Sequence, residues 1–391
     1  MSAPQVIGLG CRLNIAESER LREMLVGKQG LVVVNSCSVT TEAVRHTRRA
    51  IRRARADNPG ARLLVTGCAA ETERAAIAGM AEVDGIVANA AKLLPASYGL
   101  ERRPASAASA RRTRAFVAIQ NGCDHSCTFC IIPQGRGASR SSSIREVVAE
   151  IERHLARGAA EIVLTGVDVT AWGGDLPGTP KLGDLVLAIL DRFPGLARLR
   201  LSSLDAEEVD PLLMELLSHE ARLMPHLHLS LQHGHDLILK RMKRRHTRAE
   251  AVALVEKLRT RRPDLALGAD LIAGFPTESD THHTANVSLV HELGIVHGHV
   301  FPFSAREGTP AARMPQLDGV TIRQRAAEVR DAVATAHAGW IASLVGKPLR
   351  VLAERDGKGY AENYARVATP GMAAGTIATI TPTTIENGLL Q

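Results

Sequence analysis

The stretch Arg114-Ala-Phe-Val-Ala-Ile-Gln120-Asn-Gly-Cys123-Asp-His-Ser-Cys127-Thr-Phe-Cys130 decides how the chain is read. Ala115–Gln120 has the apolar, β-type run of a buried strand, and the loop after it gathers three cysteines at spacings of four and three. Thiolates are soft ligands suited to iron–sulfur clusters, and three of them hold three irons of a [4Fe–4S] cube while leaving the fourth open. A zinc site completed by His125 and a set of buried thiols are the competing readings, but a short loop seldom collects three cysteines for packing.

Outward from this loop, strand candidates recur at Glu161–Thr165, Leu196–Leu201, His226–Leu231, Ala266–Ile272 and Ile295–Phe301, each followed by a helix or loop. Six such repeats predict a partial (βα)6, TIM-like barrel over 114–345. Upstream, Gln5–Leu9, Leu31–Asn35, Arg62–Thr66 and Gly85–Ala88 alternate with helical patterns, which predicts a Rossmann-like parallel-sheet domain over 1–90. Residues 91–113 mix Pro, Ser, Ala and Arg without a period and read as a linker. From 346 to 391, short apolar runs broken by Gly and Pro suit a small all-β barrel. The fold class is therefore α/β with a small all-β C-terminal addition.

With 391 residues, 45% apolar and 23% charged, the composition is that of an ordinary globular protein, which excludes wholesale disorder and fibrous structure. The net charge of +7 favours a polyanionic partner. No run of about 18 apolar residues occurs, and the start lacks the basic-then-apolar pattern of a signal peptide, so the cytoplasm is the expected compartment and no membrane is expected. Six cysteines in such a chain argue for metal or redox use rather than a disulfide framework. Those outside the first loop are Cys11, Cys37 and Cys68, and each follows a strand candidate. In a parallel sheet the C-terminal strand ends open on one edge, so these three can meet and hold a second cluster. A dinucleotide reading of Gly8-Leu-Gly10 is weak, because Leu13 occupies the third glycine position.

The three-cysteine loop after a first barrel strand resembles the radical S-adenosylmethionine (SAM) superfamily. The resemblance implies that the cluster on Cys123, Cys127 and Cys130 binds SAM at its open iron and, once reduced, cleaves it to a hydrogen-abstracting 5′-deoxyadenosyl radical. It also puts Phe129 near the adenine, and it favours Thr165, Gly166, Gln232 and Asp270 as SAM contacts. Two cysteine triplets, with Gly10-Cys11-Arg-Leu-Asn14, Asn35-Ser-Cys37, Thr66-Gly-Cys68, His228-Leu-Ser-Leu-Gln232 and Asp270-Leu-Ile-Ala-Gly-Phe-Pro-Thr277, resemble the methylthiotransferases within it. Residues 359–367, Gly-Tyr-Ala-Glu-Asn-Tyr-Ala-Arg-Val, are similar to the core of the RNA-binding TRAM domain of these enzymes. The run from Asn121 to Ser141 most resembles the branch that methylthiolates C2 of N6-threonylcarbamoyladenosine at position 37 of tRNA, although Gln134 stands where that branch leads one to expect tyrosine.

The resemblance thus implies two [4Fe–4S] clusters, SAM, a tRNA anticodon loop as substrate, and an electron donor such as flavodoxin or ferredoxin. The alternatives are the branches acting on isopentenyladenosine or on a ribosomal-protein aspartate. A non-catalytic, metal-containing RNA-binding protein is the alternative of a different class.

Arg45, Arg48, Arg49, Arg52, Arg53 and Arg55 place six arginines in eleven residues with no acid among them. On a helix they fall within an arc of roughly 160°, and Val44, Ile51 and Ala54 take the other side. Unopposed like charges repel, so the stripe is expected to meet RNA phosphates, which position RNA without reading its sequence; DNA is not expected. Lys240, Arg241, Lys243, Arg244 and Arg245 form a second run, read as partly structural, and the histidines are read as structural.

Overall fold

The computed structural model describes residues 4–101 and 112–391 of the chain. Met1 to Ala3 and 102–111, which fall in the expected first domain and linker, lie outside the described residues. Two compact units emerge: residues 1–110, 120–140 and 304–312 form the first, and 111–119, 141–303 and 313–391 form the second. Among the described residues no helix is long and apolar enough to cross a membrane.

In the first unit, strands Gln5–Gly8, Leu31–Ser36, Arg62–Gly67 and Gly85–Ile86 lie side by side in chain order, all parallel. They are short and almost wholly apolar because both faces are covered. Alternate residues serve opposite faces. Val6, Val33 and Leu64 pack with Leu21 and Met24 of helix Arg12–Met24, while Val32, Val34, Leu63 and Val65 pack with Ile51 and Ala54 of helix Thr41–Asp57. Thr40 starts the latter helix by accepting the Ala43 N–H at 3.1 Å, satisfying one of the amides a helix start leaves open.

In the second unit, strands Arg114–Ala118, Glu161–Thr165 and Arg198–Leu201 form one parallel set, and His226–Gln232, Ala266–Ala273 and Ile295–Pro302 another. Parallel bridges Leu199–Leu223 and Leu204–Leu229 join the two. Val117, Leu164, Leu199, Leu229, Ala269 and Ile295 share one core with helix residues such as Val147, Leu185, Leu213, Val255 and Leu289. The alternate positions, among them Glu161, Arg198, Arg200, His228 and Asp270, therefore face the barrel interior.

The C-terminal part of this unit is a six-stranded, mostly antiparallel sheet with its own core of Val351, Ala361, Val367 and Leu390. The expected strands match those observed to within one or two residues, including Glu161–Thr165 at both ends.

Candidate functional site

All six cysteines lie in the first unit, because the loop 120–140 belongs with the N-terminal sheet rather than with the barrel strands that flank it in sequence. None is in a disulfide. Cys11 precedes helix Arg12–Met24, Cys37 follows strand Leu31–Ser36, and Cys68 opens the short helix Cys68–Thr72 after strand Arg62–Gly67. Parallel strands put these three positions at one sheet edge.

Close approach there depends on glycines. Gly10 has φ +88°, and a Cβ on it would lie 2.7 Å from Cys37 Sγ; a Cβ on Gly135 would lie 3.3 Å from the Cβ of Cys68. Burial pushes the Cys37 thiol up to about 11, and the nearby Cys11 and Cys68 thiols push the same way. Burial also raises the Cys68 thiol, against the pull of Arg136 and Lys92. Two buried thiols and the exposed Cys11 thiol, close enough to sense one another, fit a cluster or metal that binds them as thiolates and releases their protons.

The second triplet sits on a tight loop. The Cys130 N–H donates to the Cys127 carbonyl at 3.1 Å, and the Cys123 N–H donates to the Gly137 carbonyl at 3.1 Å. The His125 N–H donates to Cys123 Sγ and the Ile132 N–H to Cys130 Sγ, each at 3.4 Å. Amides aimed at sulfur stabilise thiolates, so this loop too fits a cluster. Phe129 is half-buried on it.

Beneath both triplets runs a buried ionic network. Arg136 donates to both Glu17 carboxylate oxygens at 2.9 and 3.1 Å, to Asn14 Oδ1 at 2.6 Å and to Asn121 Oδ1 at 2.7 Å. Lys92 pairs with the same carboxylate. Burial pushes the Glu17 carboxyl up, but the two cations hold it below the usual carboxylate range. Asn14, Asn121 and Arg136 lie within the quoted motifs, but Glu17 and Lys92 carried no motif in the sequence. Their sequence separations of 75 and 119 residues hide the pairing.

The remaining expected contacts belong to the second unit. Thr165 is buried at the end of the second barrel strand, with Gly166 just beyond it. Gln232 ends the fourth strand with φ +68°, a conformation a non-glycine residue adopts at some cost. Asp270, on the fifth strand, accepts from His228 Nε2 and His299 Nδ1, both at 3.1 Å on the same oxygen. Burial pushes its carboxyl up, yet these two hydrogen bonds hold it well below the ordinary range. The three could hold a metal ion, as their ligand atoms lie within 4.8 Å of one another. The alternation His226, His228 and His297, His299 on two strand candidates was the available signal, because period-2 spacing puts each pair on one face.

The arginine stripe requires a correction. The six charges are not unopposed: Arg45 and Arg49 pair with Glu42, Arg48 with Glu73, Arg52 with Glu82, Arg53 with Asp57 and Arg55 with Asp84. Apart from Glu42 and Asp57, these acids come from segments beyond the helix. Arg55 is structural, since it also donates to the carbonyls of Glu82 and Ala61. Arg45, Arg49, Arg52 and Arg53 stay 64–86% exposed, in pairs of the kind that contribute little. In the second basic run, Arg244 and Arg245 pair with Asp205, and Arg241 donates to Thr277.

A model of the radical SAM superfamily matches residues 117–287, and one of the uncharacterized protein family UPF0004 matches 4–88. The threonylcarbamoyladenosine tRNA methylthiotransferase MtaB of Rickettsia prowazekii (strain Madrid E) is 40% identical, over 99% of this chain and 96% of its own length. The tRNA-2-methylthio-N(6)-dimethylallyladenosine synthase of Paracoccus denitrificans (strain Pd 1222) is 32% identical, over 89% and 85%. Among solved structures, the radical S-adenosylmethionine methyltransferase TsrM of Kitasatospora setae superposes with a TM-score of 0.53 at 17% identity, covering 72% of this chain and 66% of that one. This last likeness speaks to the fold alone. Similarity that runs the length of both chains, on a radical SAM fold with two cysteine triplets, leads to one conclusion: the chain belongs to the radical SAM methylthiotransferase family.

Proposed function

We infer that the protein methylthiolates C2 of N6-threonylcarbamoyladenosine at position 37 of tRNA, giving the 2-methylthio product. The observation that carries this reading is the gathering of both cysteine triplets in one compact unit, in a chain 40% identical end to end to a threonylcarbamoyladenosine tRNA methylthiotransferase. Cys123, Cys127 and Cys130 would hold one [4Fe–4S] cluster and Cys11, Cys37 and Cys68 a second. No acid or base of ordinary strength removes hydrogen from C2 of adenine at a useful rate. When bound, SAM and the clusters supply the radical and the sulfur that this carbon requires.

The chain's own residues bind, orient and exclude water. Gly10 and Gly135 let backbone come close to the first triplet, and the amides of His125 and Ile132 hold the second. Thr165, Gly166, Gln232 and Asp270 supply polar groups on the barrel strands, where SAM would be oriented, and Phe129 would pack on its adenine. His228 and His299 keep Asp270 ionised. Arg45, Arg49, Arg52 and Arg53 offer phosphate contacts to the anticodon loop, and the C-terminal sheet a second RNA surface. An electron donor such as flavodoxin or ferredoxin and a cytoplasmic setting suit this chemistry.

The test is mass spectrometry of tRNA nucleosides from a strain lacking the gene, complemented with wild-type or variant chain. Wild type should restore 2-methylthio-N6-threonylcarbamoyladenosine. Cys11→Ala should abolish the product while purified protein still forms 5′-deoxyadenosine from SAM, whereas Cys127→Ala should lose both. Gain of the methylthio group on isopentenyladenosine instead would reassign the substrate.

A further inference from the structure

We propose that the buried trio Arg136, Lys92 and Glu17 sets the charge around the Cys11, Cys37, Cys68 site, and so sets how readily a cluster held there accepts an electron. This rests on the reading above that these three cysteines hold a cluster.

The side chains of Lys92 and Arg136 are each 2% exposed and that of Glu17 is 4% exposed. Bringing charges this far from water is costly, so they persist where something of opposite sign offsets them. Two cations share this one carboxylate. The other acceptors around them are neutral amides: Asn14 and Asn121 for Arg136, and Asn35 Oδ1, 3.5 Å from Lys92. The trio therefore carries one net positive charge, and a guanidinium cannot shed its proton to remove it.

The surplus has a direction. Gly135, the residue before Arg136, backs directly onto Cys68, and Glu17 and Asn14 lie on the helix that Cys11 opens. A cluster on three thiolates is anionic and becomes more so when it gains an electron. Fixed positive charge in a region of low dielectric favours that gain, and the buried position keeps salt from screening it.

The test uses the full chain with Cys123, Cys127 and Cys130 changed to Ala, reconstituted anaerobically with iron and sulfide, so that only the N-terminal cluster remains. The cluster is titrated with dithionite, which supplies the electron, and followed by electron paramagnetic resonance. Glu17→Gln adds one net positive charge and should favour reduction about tenfold, a midpoint 59 mV higher for a one-electron couple. Lys92→Met should move it by the same amount in the opposite direction, Lys92→Arg should leave it unchanged, and the double variant Glu17→Gln, Lys92→Met should return it to the wild-type value. A brace without electrostatic effect would leave all midpoints alone or shift both single variants in the same direction, and either result overturns the proposal. Should Glu17→Gln fail to fold, a midpoint lowered by Lys92→Met and unmoved by Lys92→Arg decides it. Absence of iron from the triple-alanine chain would overturn the second-cluster reading as well, an outcome distinct from iron retained with midpoints unmoved.

Discussion

At the scale of single residues, the barrel interior holds a histidine that should make the fold sensitive to acid. His297 lies on the sixth barrel strand, its ring against those of Trp340 at 4.9 Å and His337 at 5.6 Å, and its Nε2 is sealed from solvent without a hydrogen-bond partner. Burial, seconded by His337, lowers its pKa from 6.5 to about 4. The unfolded chain therefore binds a proton that the folded chain refuses between those two values. Stability is unaffected above about pH 6.5, falls as pH drops through that window, and levels off below about 4. At 1.36 kcal/mol per pH unit the full loss is about 3 kcal/mol. Denaturation midpoints measured from pH 7.5 to 4.5 should show this slope, and His297→Gln should flatten it. An equal slope in the variant would assign the acid sensitivity to other groups.

At the scale of elements, helix Thr41–Asp57 shows what a sequence conceals. Exposed ion pairs give way easily to phosphate, because each contributes about 0–1 kcal/mol. Replacing Arg45, Arg49 and Arg53 by Glu should thus weaken tRNA binding strongly and flatten its salt dependence, with a slope of about 0.7 lost per phosphate contact removed. The same variant should melt as wild type does. Arg55→Ala should do the reverse, leaving the RNA salt slope in place and destabilising the fold by about 1–3 kcal/mol, since it strips hydrogen bonds from three backbone carbonyls, those of Pro59, Ala61 and Glu82. Filter binding at several salt concentrations, beside thermal melts, separates the two effects.

The elements themselves were legible because buried parallel strands read as unbroken apolar runs, and the cysteines because three soft ligands in one loop have few other uses. What stayed hidden was distant pairing. Glu73, Glu82 and Asp84 neutralise arginines from 25 to 30 residues away. Lys92 and Arg136 reach Glu17 across far longer intervals, and no local period records such meetings. Resemblance singled out Asp270 but not the two histidines that bond to it, since period-2 spacing puts a histidine pair on one face without recording what that face touches.

At the scale of the whole second unit, the floor of the barrel and the C-terminal sheet are chemically inseparable. Arg198, Arg200 and Glu161 are fully buried, with a single carboxylate between the two arginines. Arg200 grips Glu161 at 3.0 and 3.1 Å in a two-point pair, and its guanidinium stacks 4.0 Å from the Tyr364 ring centre. Both arginines also donate to the C-terminal sheet: Arg198 to the Tyr360 and Arg350 carbonyls at 3.0 and 2.6 Å, and Arg200 to the Glu362 carbonyl at 2.8 Å. Arg114 joins in through Glu354 at 2.5 Å. Without that sheet, two buried guanidinium groups would lose acceptors they cannot replace, and breaking a buried charge network of this kind costs about 3–5 kcal/mol. A chain ending at Val345 should therefore unfold at markedly lower temperature and expose its barrel core to a hydrophobic dye, instead of behaving as an intact enzyme that has lost an RNA-binding arm. Glu161→Gln in the full chain should reproduce part of that loss with the sheet still present. If the shortened chain melted as the full chain does and kept its iron, the arginine floor would be self-sufficient and the sheet a separable appendage. The expected result makes the sheet part of the barrel's foundation, fixed against the barrel strands by the buried arginines.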